Sequence, residues 1–518
     1  MVRLCAAVLV SALWVSAGFA QAPLSAIDWL TESLSNPPDQ TEKPIATPII
    51  PEPIQEVFIT DGVTGGSPDS IGLLSPTVTG FSANLWGGAA TRDIARHIRT
   101  FPVQGYPEAQ NVFRRILLAQ ANPPFDVTAQ GQVLLARLEK LYEIGALDAA
   151  EALVQQVQVF TPALFEQSFR VAILTDRTAD ICRLLAERPA LSSDLSSRTY
   201  CLARGGDWNA AAMTVSLGAS IGAVDPAREE MLIRYLDPEL FEGEPDPVAP
   251  TPMNTMDYVL REALLLPRPS GTLPLAYLYR DIGLRSALRA RIEASERLVR
   301  AGSLPGSLLS NAYRTGTPAS SGGVWERSNA VQRLDAALKT GEDSLISDAI
   351  AFAASELSKV DLLVAFAEEY ADKFSELEYN PSYQETAGLI WDLLHLADIA
   401  AYGWNDDAAV TERQVLSHKI VAKEDLSDIT TDDLVAQAMI EGLSEVPPTA
   451  LAARDLIKML EGGNQGLAII GALRLLAQGS DTDPENLRTA IYVLRAAGQE
   501  TAARRIAIQI LLLPDGDV

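Results

Sequence analysis

The chain is short of the residue types on which most catalytic and metal-binding chemistry rests. Its 518 residues include three cysteines and three histidines, His97, His395 and His418. No His-Glu-x-x-His pair, no Cys-x-x-Cys and no glycine-rich loop closing on Lys-Ser or Lys-Thr occurs, so neither a zinc site nor a phosphate loop is expected. The acidic clusters Asp425-Leu-Ser-Asp428 and Asp432-Asp433 lack the alternating ligands and the glycine of a calcium loop. They read instead as caps for a helix opening at Leu434. No metal and no cofactor is therefore expected. Basic charge is scarce as well: 41 Lys and Arg face 67 Asp and Glu, a net charge of −26 that repels phosphate backbones and anionic lipid alike. That balance excludes nucleic acid as a partner. Aromatic residues make up only 6%. Long apolar runs are missing too, since Leu467 to Ala477 is interrupted by Arg474 and falls well short of the roughly twenty residues a membrane span needs. No integral membrane segment is expected once the N-terminal leader is removed.

What is present points to secretion. Arg3 precedes an apolar run from Leu4 to Val15, and Gly18-Phe19-Ala20 places small residues at the −3 and −1 positions of a signal-peptidase site. Cleavage after Ala20 would deliver a periplasmic protein and, by removing Arg3, take the net charge from −26 to −27. The two remaining cysteines, Cys182 and Cys201, then sit in an oxidising compartment. Thr178 to Glu187 and Asp194 to Arg204 both read as helices, with Pro189 in the connection between them. Antiparallel packing would bring the two thiols level and predicts a disulfide; the alternative is a pair of small buried side chains that never bond.

Hydrophobic periodicity organises the rest as all-α. Leu134, Leu135, Leu138, Leu141 and Tyr142 follow a helical period, Gly145 breaks it, and Ala150, Leu153, Val154 and Val157 restart it. The same punctuation recurs at Gly205-Gly206 and Gly498, where one apolar helix ends and an Ala-Ala pair opens the next. The expected division is a signal peptide (1–20), a short amphipathic motif (21–36), a Pro/Gly-rich linker and lead-in (37–90), a helical-repeat domain (91–236), a Pro- and acid-rich linker (237–252) and a second helical-repeat domain (253–518). Strand-like alternation is confined to Gln55–Thr60. In the 21–36 motif, Ile27, Trp29 and Leu30 carry the apolar face. The segment is too short to fold alone, so it either packs on its own chain or docks on a partner.

These hairpins resemble tetratricopeptide-like repeats through the small residues at their turns, which implies an irregular α-solenoid. Ser25-Ala-Ile-Asp-Trp-Leu30 and Ser320-Ser-Gly-Gly-Val-Trp325 resemble a group of bacterial secreted proteins sometimes labelled as related to antifreeze glycopeptides. The Ala-Ala-Thr unit of those glycopeptides occurs here once, at Ala89-Ala90-Thr91, and the resemblance implies no activity. Glu376-Leu-Glu-Tyr379-Asn380-Pro381 followed by Ala387-Gly388-Leu389-Ile390 resembles the start of the catalytic domain of soluble lytic transglycosylases. That resemblance implies a peptidoglycan-cleaving enzyme with Glu376 as general acid, although Leu377 and Trp391 replace the family's Ser and Gln. Gly218-Ala-Ser220-Ile-Gly222 spells a serine-hydrolase elbow, but its flank reads as helix rather than strand, so no catalytic role is expected for Ser220. The expectation that best fits the whole chain is a periplasmic, non-enzymatic helical-repeat scaffold that binds another envelope protein or peptide; the lytic enzyme is the alternative.

Overall fold

A computed structural model describes residues 67–126, 131–269, 271–283, 285–377, 386–401 and 411–513. The signal segment, the motif with Ile27, Trp29 and Leu30, the Gln55–Thr60 alternation and Tyr379-Asn380-Pro381 lie outside the described residues. Among the described residues the chain forms twenty-four α-helices and no β-strand. No described helix is long and apolar enough to cross a membrane.

The helices begin and end where elementary chemistry puts them. Gln132–Glu143 stops at Gly145, whose φ of +81° suits glycine, and Leu147–Gln155 follows. Thr161, Asp194, Asp207, Asp225 and Asp433 each use a side-chain oxygen to accept from the free amides of the helix they precede. Neighbours in sequence pack as pairs: Leu195–Arg204 with Trp208–Ser220, Val324–Thr340 with Asp343–Ser358, and Pro484–Ala496 with Glu500–Leu512. The short turns between them leave no route but reversal, which is the helical hairpin.

Two apolar clusters form the core. One is gathered between Leu147 and Leu298 around Phe165, Phe169, Tyr200 and Leu260. The other joins residues from opposite ends of the chain: Leu85, Ile94 and Phe113 share it with Ile469, Ile491 and Ile506. An open stack would keep its first and last helices apart. Here Glu500–Leu512 packs on Pro107–Leu118, and Gln465–Leu475 packs on Thr91–Arg99. At this seam the Gly466 amide donates to the Leu85 carbonyl at 2.8 Å, and a Cβ on Gly466 would stand 2.7 Å from the Trp86 ring. Arg505 reaches the buried carboxylate of Glu108 at 3.3 Å, and the Glu108 amide donates to Gln509 Oε1 at 3.0 Å. The described part of the chain is thus a helical circuit closed on itself.

The lead-in before the first long helix is fixed by a buried polar rivet. Leu73 and Leu74 donate to the Leu118 carbonyl at 2.8 and 3.0 Å, and Gly72 lies so close to the Ala119 backbone that any side chain there would collide. Asp69 accepts from the amides of Gly131 and Leu134, each at 2.8 Å, and so caps Gln132–Glu143 from a distance. Arg137, 2% exposed, donates to the carbonyls of Leu117 and Ile71 at 2.5 Å and of Ala119 at 3.1 Å.

Candidate interaction surface

Helix Trp208–Ser220, in a chain with a net charge of −26, is the longest of the described helices that carry no charged residue. Ala211, Val215 and Gly218 face the core, while Met213 is 74%, Leu217 61% and Ile221 67% exposed. These three recur every four residues, so they form one apolar line on the solvent side. Trp208, half exposed, lies well away from this line around the helix and leans on Tyr235 instead.

The supports beneath this line are rigid. Asp207 accepts from the Ala210 amide at 3.1 Å, fixing the first turn. A Cβ on Gly218 would approach Val224 and Leu195 within 2.8 Å, so glycine is what lets the helix seat on Leu195–Arg204. An aromatic series continues the contact inward: Trp208 leans on Tyr235 with centroids 6.4 Å apart, Tyr235 stacks on Tyr200 at 5.9 Å, and Tyr200 meets Phe169 edge-on at 6.2 Å. Cys182 and Cys201 are bonded, with Cα atoms 5.2 Å apart, and pin Leu195–Arg204 to Ala179–Glu187. Of the two outcomes the sequence leaves open for Cys182 and Cys201, the bonded one is found, whereas no sequence expectation covers the outward direction of Met213, Leu217 and Ile221. An uncharged helix in an acidic chain was the available signal.

The other residues singled out in the sequence are not brought together. Ser220 ends its helix and donates to the Leu217 carbonyl at 2.8 Å. Glu376 lies near the end of Leu363–Leu377, exposed and paired with Lys373 at 3.0 Å. His97 meets the Asp93 carbonyl through Nδ1 at 2.7 Å. His418 is half-buried, with its Nδ1 3.3 Å from the Nε2 of His395 across a helix contact. Among the described residues no group of three His, Cys, Asp or Glu side chains is placed to hold a metal ion.

The histidine contact has a measurable consequence. His395 is 1% exposed, and burial, with a smaller contribution from His418, holds its pKa down to about 3. Three residues earlier, burial raises the Asp392 carboxyl to about 6 against the opposing hydrogen bond from Gln414. A depressed histidine supplies stability that is complete above the unfolded pKa of about 6.5 and is lost as pH falls toward 3. A raised carboxyl supplies stability that is complete below about 3.9 and is lost as pH rises through 6. Between pH 6 and 4 the two oppose each other. His395→Gln should therefore gain stability on acidification over that window relative to the parent, and Asp392→Asn should lose it, each with a slope approaching about 1.4 kcal/mol per pH unit. Urea midpoints at pH 6, 5 and 4 check both; two variants sloping the same way would refute the assignment.

No protein-family model matches the chain, and no curated protein or solved structure matches it.

Proposed function

We propose that the protein is a periplasmic, non-enzymatic scaffold of tetratricopeptide-like helical hairpins that binds another envelope protein or peptide. The observation that carries this reading is the uncharged face of Trp208–Ser220, with Met213, Leu217 and Ile221 in line on a rigidly supported helix. Exposed apolar side chains scattered singly need no explanation, but a continuous row on a charge-free helix fits a partner surface. Its partner presents a complementary apolar groove or helix, and because the row has no charge the contact should respond little to salt. The excess of 67 Asp and Glu over 41 Lys and Arg disfavours a strongly acidic partner wherever the two surfaces meet at short range. The amphipathic motif at Ile27, Trp29 and Leu30 is a second, tethered contact in this reading.

Crosslinking in the periplasm, followed by recovery of the partner with parent and Leu217→Asp protein, tests the proposal. An aspartate at this solvent-facing position leaves folding within about 0.5 kcal/mol and should reduce recovery by about tenfold or more, the cost of burying an unpaired charge in an interface. Unchanged recovery would remove this face from the contact. Trp29→Ala in the same assay reports separately on the tethered motif.

A further inference from the structure

Beyond the scaffold reading, the geometry points to a binding site for a small monocarboxylate with an apolar body, in the cavity formed where the helical circuit closes, with Arg297 as the residue that receives the carboxylate. The cavity measures about 810 Å³. Its lining includes Pro102, Val103, Leu363 and Val364, with Ala477 and Leu513 from the segments just after Gln465–Leu475 and Glu500–Leu512. These segments are hundreds of residues apart in sequence, so the space exists only because the ends of the circuit meet.

Three cations line this cavity, Arg297, Arg300 and Lys359, against one carboxylate, Asp361. Lys359 already pairs with Glu356. Arg300 reaches Asp361 only at 4.0 Å, and its Nε is buried without a hydrogen-bond partner. Arg297 makes no ion pair among the described residues; it donates once, to the Leu273 carbonyl at 2.8 Å. Arg297 and Arg300 also line a neighbouring cavity of about 680 Å³, so both residues border two spaces. In that second cavity the other arginines are satisfied: Arg268 binds Asp281, Arg289 binds Glu293, and Arg327 binds Glu296. Of the arginines lining the two cavities, Arg297 alone makes no ion pair among the described residues, and it stands one turn from Arg300, whose pair with Asp361 is 4.0 Å long, at the C-terminal end of Leu288–Arg300. Like charges at that spacing repel, and the helix dipole offsets the repulsion only in part. Burial and the nearby Arg300 and Arg268 accordingly hold the Arg297 guanidinium below its ordinary pKa.

The chemistry of the walls selects the ligand. A carboxylate matches the planar fork of one guanidinium with two parallel hydrogen bonds. The apolar part of the lining, Pro102, Val103, Leu363 and Val364 among it, then covers a hydrocarbon body, whereas a phosphate dianion would exchange hydration for proline, valine and leucine. The chain's overall acidity does not forbid this, because charges beyond about 8 Å are screened at physiological salt.

Octanoate, octanol and inorganic phosphate, each titrated into the full chain by calorimetry at neutral pH, test the site. Saturable octanoate binding is expected, about tenfold or more weaker in Arg297→Gln, with octanol and phosphate each bound far less tightly. Equal binding of octanoate and octanol would reduce the site to an apolar void, and phosphate binding as tight as octanoate would make it a plain anion site; either overturns the inference. So does octanoate affinity unchanged by Arg297→Gln. Should that variant fail to fold, Val103→Trp, which fills the apolar wall, carries the test: lost octanoate binding with an unchanged helical spectrum supports the site, and retained binding refutes it. Leu217→Asp should leave octanoate affinity untouched, so the failure of this site and the failure of the scaffold reading are read separately.

Discussion

Replacing Arg137 with leucine should lower stability by about 3–5 kcal/mol, the range seen when one partner of a buried charged network is removed. Three consequences add up at this residue. The carbonyls of Ile71, Leu117 and Ala119 lose their donors, and all three belong to the junction between the lead-in and the first helical layer. Asp69, whose carboxyl burial already pushes upward, loses the positive charge that steadies it. Its cap on the amides of Gly131 and Leu134 then weakens, which loosens the start of Gln132–Glu143. Arg137→Lys would keep the charge but not the fork, and a single ammonium cannot serve three carbonyls set around a planar group. It should fall between parent and Arg137→Leu. Urea unfolding at pH 7 measures all three proteins, and a double-mutant cycle with Asp69→Asn isolates the coupling between the pair. A loss below about 1 kcal/mol for Arg137→Leu would mean that water replaces the guanidinium, and the rivet would then not be structural.

How much of this was legible beforehand depends on the range of the contact. Leu134, Leu138 and Leu141 announce their helix because a 3.6-residue period is written locally, and Gly145 ends it because a left-handed residue is needed there. Asp194 and Asp433 announce helix starts for the same reason: a cap is a contact over two or three residues. The Cys182–Cys201 bond follows from two such helices and the turn between them. Arg137 already hints at more, since an arginine amid apolar residues on one helical face is out of place, yet nothing local says that Ile71 and Ala119 receive its protons. The closure is a step further removed. Gly466 with Leu85 and Arg505 with Glu108 are separated by almost the whole described chain, and no periodicity encodes that meeting. The cavity at Arg297 inherits the same opacity, although Leu288–Arg300 holds four arginines and two glutamates in a chain of opposite charge balance. That local reversal of sign was the readable trace of the site.

Removing the disulfide, by Cys182→Ala with Cys201→Ala, should cost about 3 kcal/mol, the chain-entropy value for a loop of about twenty residues. The bond spans a sequence separation of 19 and joins Ala179–Glu187 to Leu195–Arg204. Both cysteines are only half-buried and pack on the margin of the core, whose fully buried contacts here come from Ile181, Leu185 and Tyr200. The native contacts therefore survive the substitution, and the loss comes chiefly from the greater freedom of the unfolded chain. Its effect should be uneven. Trp208–Ser220 rests on Leu195–Arg204 through Gly218 and the Tyr200–Tyr235–Trp208 series, whereas the seam at Gly466 and Arg505 touches neither cysteine-bearing helix. Hydrogen exchange should consequently quicken across 179–220 and stay at parent rates across 465–512, because local opening costs less where the constraint was removed. If both regions quicken equally, the molecule unfolds as a single unit and the bond guards all of it. If neither does, and the urea midpoint stays within error, the bond does not form in the protein in solution. The first pattern alone would tie partner recovery to the redox state of Cys182 and Cys201, since the apolar line at Met213, Leu217 and Ile221 keeps its alignment only while its supporting helices hold.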